Sequence, residues 1–276
     1  MSYSASLDDL TARGAKQTAL HERAAVVAAR LFGRKVFVGA VIEVSNFCRE
    51  NCRYCGMRRE NRAFARVPAQ HDELAELLVH HRPPAVTDVN IQAGEAPVAA
   101  REIVQPLVRT LRRETKLGIG VCLGTLDYVL YEELHVAGAS VYIMKFETAD
   151  ARRYDQVRAP GSLAERLDHI RWLPAHGWKV SSRFIAVLPE QDESELLDNI
   201  RLASELPLPG SSVSPPVPGN DTPLSAAAPG DVETALNCMA LFRLARPDWV
   251  IPAVSALNLV QPGNGYRGGC GPARTW

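Results

Sequence analysis

Apolar positions fall into two periods along the chain. From Leu7 to Phe32 they recur at helical spacing, with Leu20, Ala24, Val27 and Leu31 in one stripe, and Gly33 ends the segment. Lys35–Ser45 is a β-branched run without helical period, which predicts a buried strand. His71–His81 is an amphipathic helix stopped by Pro83 and Pro84. From there the pattern alternates. Predicted strands are Val86–Gln92, Gly118–Leu123, Ser140–Phe146, Lys179–Val187, Ser211–Ser214 and Trp249–Val254. Between them lie predicted helices at Ala99–Thr115, Leu126–Val136, Ala149–Val157, Ser162–His176, Glu193–Leu206 and Asp231–Ala245. Strand–helix units repeated in this way imply an α/β fold of parallel strands joined by crossover helices. No GxGxxG follows the first strand, so a dinucleotide-binding sheet loses ground. A (β/α) barrel fits better, although eight full units are tight in 276 residues. Residues 207–229 form a Pro/Gly-rich loop rather than a linker, because the alternation resumes after it. The expected organisation is one domain over residues 1–276, with an N-terminal helical extension of about residues 1–33.

Composition narrows the function classes. Thirty-one basic residues balance 31 acidic ones, which argues against a nucleic-acid or anionic-membrane binder. No apolar run approaches the roughly 18 residues of a membrane span. The N-terminus is polar and acidic, unlike a signal peptide, and the expected location is cytoplasmic.

The six cysteines are unevenly placed. Cys122, Cys238 and Cys270 are scattered, and Cys122 and Cys238 read as small buried apolar residues. Cys48, Cys52 and Cys55 form Cx3Cx2C directly after the first strand. In a barrel that is the C-terminal face, where active sites are built. A structural zinc site wants four protein ligands, and neither a second CxxC nor a finger-spaced His follows. Three thiolates with one open position suit an iron–sulfur cluster. A zinc- or cluster-binding module without catalysis is the alternative from another class.

These residues carry a resemblance. Cx3Cx2C with Tyr54 before its last cysteine resembles the radical S-adenosylmethionine (SAM) superfamily. Val41–Cys48 and Tyr54–Asn61 resemble the branch holding biotin synthase, methylornithine synthase and the HydE maturase of FeFe hydrogenase. In the same order come Gln92-Ala-Gly-Glu95, Lys145-Phe-Glu-Thr148, Leu188-Pro-Glu-Gln191 and Asp221-Thr-Pro-Leu224, each similar to a word of that branch. The resemblance implies a TIM-type barrel in which Cys48, Cys52 and Cys55 are catalytic and hold a 4Fe-4S cluster whose open iron chelates SAM. It implies that Tyr54 packs near the adenine, Gly94 lets backbone approach the methionine end, and Glu95 accepts from the SAM amino group. Glu147 would contact the ribose or amino group, and Arg166 the SAM carboxylate. The implied activity is reductive SAM cleavage to a 5′-deoxyadenosyl radical that abstracts hydrogen from a small, amino-acid-derived substrate. A flavodoxin- or ferredoxin-type donor is the implied partner.

Departures from the branch also shape the expectation. Ser181 stands where biotin synthases have a cysteine, and Cys122 is two places off its slot, which weakens sulfur insertion through a second cluster. The chain ends at Trp276, which predicts a barrel incomplete at its C-terminal end or closed by a partner chain. A HydE-like maturase stays open as the second enzymatic reading. Among lesser candidates, Trp172–His176 reads as helix packing, His80-His81 as a solvated helix end, and Glu190–Glu195 as a helix N-terminus.

Overall fold

The computed structural model describes residues 5–33, 35–63, 65–228, 230–265 and 267. Two helices, α1 (Leu7–Leu10) and α2 (Ala15–Phe32), precede the sheet. The long N-terminal helix expected from periodicity is broken at Gly14, whose φ of 56° no helix accommodates.

Six strands follow: β1 (Gly39–Ser45), β2 (Asp88–Ala93), β3 (Gly118–Cys122), β4 (Val141–Ile143), β5 (Lys179–Ile185) and β6 (Gly210–Ser214). The helices between and after them begin with α3 (His71–Glu76), continued by a π turn over Leu77–His81. Next, α4 (Pro97–Ala99) runs through a π turn over Ala100–Val104 into α5 (Gln105–Glu114). They continue as α6 (Tyr128–Ala137), α7 (Ala151–Gln156), α8 (Leu163–Ala175), α9 (Glu193–Glu205), α10 (Val232–Ala245) and α11 (Ala256–Val260).

Neighbouring strands are parallel throughout, in the order β1-β2-β3-β4-β5-β6. That order decides the architecture. A right-handed crossover at every step puts all the helices on one face of the sheet. A doubly wound sheet would reverse order midway and cover both faces. The other face here is the inner wall of a barrel-type sheet. Burial agrees: Val89, Ile91, Ile119, Val121, Tyr142 and Val180 sit in the core against the helices. The alternate positions Asp88, Asn90, Gln92, Val141, Ile143 and Arg183 are only half buried.

Two predicted strands come out shorter. The first begins at Gly39, where pairing with Asp88 starts; Val36, Phe37 and Val38 have no β2 residue opposite and remain exposed. The last, predicted over Trp249–Val254, contributes a parallel bridge between Val250 and Gly210, the first residue of β6. Trp249 and Ile251 are fully buried, so the apolar signal was real and marked core packing rather than a ladder.

α2 packs along α10, which joins the two ends of the chain. Buried Asn237 of α10 donates to the carbonyls of Leu10 and Ala12 and accepts from Gln17 at 2.9 Å. The segment containing Cys270 lies outside the described residues. Among the described residues, no helix is long and apolar enough to cross a membrane.

Candidate active site

Every singled-out word falls at the C-terminal end of a strand. Gln92–Glu95 ends β2, Lys145–Thr148 follows β4, and Leu188–Gln191 follows β5. The loop after β6 holds Asp221–Leu224 and reaches back to the cysteine loop. Gly219 N–H donates to the Tyr54 carbonyl (3.0 Å), and Leu224 N–H to the Arg53 carbonyl (3.2 Å). One rim thus gathers residues spread over some 180 positions of sequence.

The cysteine loop leaves β1 and stays tied to β2. Gly94 N–H donates to the Ser45 carbonyl (3.2 Å), and Arg49 N–H to the Glu95 carbonyl (3.0 Å). The contact is so close that a Cβ on Gly94 would lie 2.2 Å from the Phe47 carbonyl oxygen and 2.7 Å from Cys48 Cβ. Cys48, Cys52 and Cys55 are free thiols. Burial pushes the Cys48 and Cys52 thiols up, with the charges of the neighbouring cysteines acting in the same direction. Among the described residues, no three His, Cys, Asp or Glu side chains converge tightly enough to hold a single metal ion.

Glu95 and Arg166 form a buried pair, Arg166 Nη2 donating to Glu95 Oε1 at 2.6 Å. Arg166 is 3 % exposed, so it is not a solvated helix arginine. It also donates to Tyr154 Oη (3.4 Å), Met144 Sδ (2.9 Å) and the Pro160 carbonyl (3.4 Å). Burial disfavours its charge, but the Glu95 carboxylate and Tyr154 together outweigh this and hold the guanidinium protonated. Burial likewise pushes the Tyr154 hydroxyl up, to about 12. Space for the Glu95 side chain comes from Gly124 at φ 74°, whose Cβ would lie 2.1 Å from Glu95 Cγ. Two groups expected to meet opposite ends of one amino acid therefore stand side by side and neutralise each other.

Glu147 is 5 % exposed and sits at φ 61°, a left-handed conformation costly for a residue with a Cβ. Its backbone still pairs with β5, to the Arg183 carbonyl (3.1 Å) and from Ile185 N–H (2.9 Å). Oε1 faces Arg183 Nη2 at 3.7 Å, while Oε2 is buried without a hydrogen-bond partner among the described residues. Tyr54 packs beside this carboxylate; burial, then the charges of Glu147 and Cys52, push its phenol well up. Lys145 lies between Met144 and Phe146, both fully buried toward the helices, and is itself half buried. By alternation with them it faces the inner side of the sheet, as half-buried Ile143 does. Ser182 and Phe184 turn the other way; Phe184 packs on Phe146 and Phe242.

Three arginines of this rim went unread in the sequence. Arg66 gathers the cysteine loop onto itself, donating to the carbonyls of Asn46, Met57, Arg58 and Asn61 at 2.5–3.3 Å. Arg153 clasps Glu195 through two nitrogens and donates to the carbonyls of Pro189 and Glu190, fixing the loop after β5. Arg183 supplies the charge opposite Glu147. The lesser candidates lie where expected: Trp172 and His176 stack at 3.6 Å, His80 and His81 are exposed at a helix end, and Asp192 caps α9. Cys122 and Cys238 are buried.

Comparison with known proteins gives a concordant picture. Residues 42–203 match the family described as the Radical SAM superfamily. The FeFe hydrogenase maturase subunit HydE of Thermotoga maritima is 31 % identical over 250 residues, covering 89 % of this chain and 70 % of that protein. The 3-methylornithine synthase of Methanosarcina acetivorans is 23 % identical over 234 residues, covering 80 % of this chain and 63 % of that one. Among solved structures, methylornithine synthase (PylB) superposes with a TM-score of 0.87 at 21 % identity, over 99 % of this chain and 82 % of that one.

Proposed function

The chain belongs to the radical SAM superfamily, enzymes that use a 4Fe-4S cluster and SAM, and from that premise we propose which residues hold each group. Cys48, Cys52 and Cys55 hold the cluster; Tyr54, Gly94, Glu95, Glu147 and Arg166 hold SAM. When bound, the two supply a 5′-deoxyadenosyl radical that abstracts a hydrogen atom from a small substrate. The observation that carries the assignment is the Gly94 cradle. Bare backbone at residue 94 lies against the thiol-bearing loop, in a space that any side chain would fill. The donor set supports it as well. Three soft ligands on one loop suit a cluster, whose binding displaces the protons that burial keeps on the Cys48 and Cys52 thiols. The unpartnered Glu147 Oε2 is free to accept from a hydroxyl or ammonium group. The Glu95–Arg166 pair offers an amino acid's ammonium and carboxylate one partner each.

We read the substrate as amino-acid-like. Arg183 brings a cation beside the Glu147 carboxylate, half-buried Lys145 adds one on the inner face, and Asn90 adds a buried carbonyl oxygen with no partner among the described residues. A HydE-type maturase, whose product passes to another protein, is the second reading, favoured by the 31 % identity to such a subunit. The electron donor is taken to be of flavodoxin or ferredoxin type.

Anaerobic purification with iron, sulfide and zinc analysis tests the assignment. Wild type is expected to carry iron and labile sulfide, absorb near about 400 nm as thiolate-bound clusters do, and cleave SAM with dithionite. Cys52→Ala is expected to lose all three. Zinc without labile sulfide in the wild type would sink the reading. For the substrate, Lys145→Met is expected to keep uncoupled SAM cleavage while product formation falls. Equal loss of both would move Lys145 into the SAM site.

A further inference from the structure

Charge is distributed unevenly around the thiol-bearing loop. Residues 46–66 hold six arginines and two glutamates, in a chain whose 31 acidic and 31 basic residues cancel overall. Both glutamates are engaged locally, Glu50 by Arg49 at 3.3 Å and Glu60 by Arg58 at 3.1 Å. Arg53, between Cys52 and Tyr54, is exposed; its Nη1 donates to the Gln156 carbonyl at 3.3 Å and meets no carboxylate among the described residues. Arg59 and Arg62 are exposed on the same loop, likewise without a carboxylate partner among the described residues. The turn after α7 adds Arg158, exposed at φ 50°. Arg53, Arg58 and Arg158 line one open cavity of about 400 Å³ with Glu60, Gln156 and Pro223. Asp155 at the end of α7 and Asp221 in the loop after β6 flank it, so the basic excess is concentrated on the cysteine loop and Arg158.

We propose that this arginine rim is the docking surface for an acidic one-electron carrier protein. The proposal rests on the radical SAM reading, which requires a reductant at this loop. Two features favour a protein over a small anion. Arg59 and Arg62 stand exposed on the loop and are not among the residues that line the cavity with Arg53, Arg58 and Arg158, so the cations extend beyond one point. Of those lining the cavity, Arg58 is engaged by Glu60 and Arg53 by a backbone carbonyl. Arg53, Arg59, Arg62 and Arg158, exposed and without a carboxylate partner among the described residues, complement carboxylates spread over a partner's surface and steer association at low salt. Arginine is also the cation enriched at protein interfaces. Docking here sets the carrier over Arg53, the residue next to Cys52. The transfer is one electron. With a flavin carrier, the anionic hydroquinone becomes the neutral semiquinone, no proton moves, and the acceptor at the cysteine loop is reduced.

The test uses the reconstituted holoenzyme and a purified acidic flavodoxin. Flavodoxin binding by calorimetry is expected to weaken as salt rises. Arg53→Glu/Arg158→Glu is expected to raise the dissociation constant at least about ten-fold, as reversal of steering charges does, and to slow flavodoxin-driven SAM cleavage. Cleavage with dithionite is expected to stay at the wild-type level, and Arg53→Lys/Arg158→Lys to bind like wild type. If the double charge reversal takes up too little iron, Arg59→Glu/Arg62→Glu carries the same comparison. Unchanged flavodoxin affinity with normal dithionite chemistry would overturn the docking proposal alone. Inorganic phosphate displacing flavodoxin at constant ionic strength would reveal a small-anion site and overturn it too. Wild type that holds no cluster and cleaves no SAM with dithionite would overturn the functional reading beneath it.

Discussion

Gly94 shows how one missing side chain sets a site. The obstacle to a Cβ there is backbone, the Phe47 carbonyl, together with the Cβ of Cys48. Neither can rotate aside, so Gly94→Ala must push the cysteine loop off β2 and strain the two hydrogen bonds that tie them. Less iron per chain after reconstitution and a lower melting temperature are expected together. Full iron loading at the wild-type melting temperature would show that the loop has slack. Glu95 is bound by a different constraint. Its partner Arg166 is buried and cannot be left alone, so Glu95→Gln strands a cation at about 3–5 kcal/mol, and chemical denaturation should show it. The glycine and the cysteines were legible because short words identify them without three-dimensional information. Arg66, Arg153 and Arg183 were not. Each works through backbone carbonyls or carboxylates up to 42 residues away, and nothing local distinguishes them from solvated arginines.

Helices read more truly than strands, and the reason lies in their ends. Asp127, Asp150, Ser162, Asp192 and Asp231 each cap a helix by accepting a first-turn N–H, and each stands at or near a boundary that the apolar period predicts. Strand limits depend on which residue of a neighbour lies opposite, so β1 starts late and the last predicted strand shrinks to a bridge. Capping matters most at α8, whose first turn carries Arg166. Ser162 accepts from Glu165 N–H through its hydroxyl (3.2 Å) and from Arg166 N–H through its carbonyl (3.0 Å). Ser162→Ala removes the hydroxyl and is expected to cost about 1 kcal/mol. Frayed ends would also displace Arg166, so SAM affinity should fall along with stability. Loss of stability with unchanged SAM affinity would show that the tertiary pair with Glu95 holds the arginine unaided.

At the scale of the molecule, parallel strands in sequential order make the functional rim unavoidable: every strand delivers its C-terminal end to the same side. The other organising contact joins the N-terminal helices to α10 through Asn237, which the apolar pattern hid because it sits on a mostly apolar helix. Its Oδ1 also meets His21 Nε2 at 2.9 Å. Burial lowers the His21 pKa below its ordinary 6.5; the hydrogen bond to Asn237 and the charge of Glu233 oppose that shift, and Arg267 reinforces it. The sign follows from linkage. A depressed histidine contributes stability that is complete above pH 6.5 and lost as pH falls below it, because the unfolded chain then binds a proton that the folded one refuses. His169, also lowered chiefly by burial, works in the same direction. The lowered carboxylate of Glu233 starts from 4.5, so its own loss of stability falls at lower pH and leaves the window between about 7.5 and 5.5 to the histidines. The melting temperature of wild type is expected to fall across that window. His21→Gln keeps a donor for Asn237 but cannot titrate, so its curve should be flatter. Asn237→Ala removes the partner and should lower stability at every pH by about 1–3 kcal/mol, the cost of leaving buried donors and acceptors unpaired. Parallel wild-type and His21→Gln curves would place the titrating group elsewhere, with His169→Gln the next variant to measure.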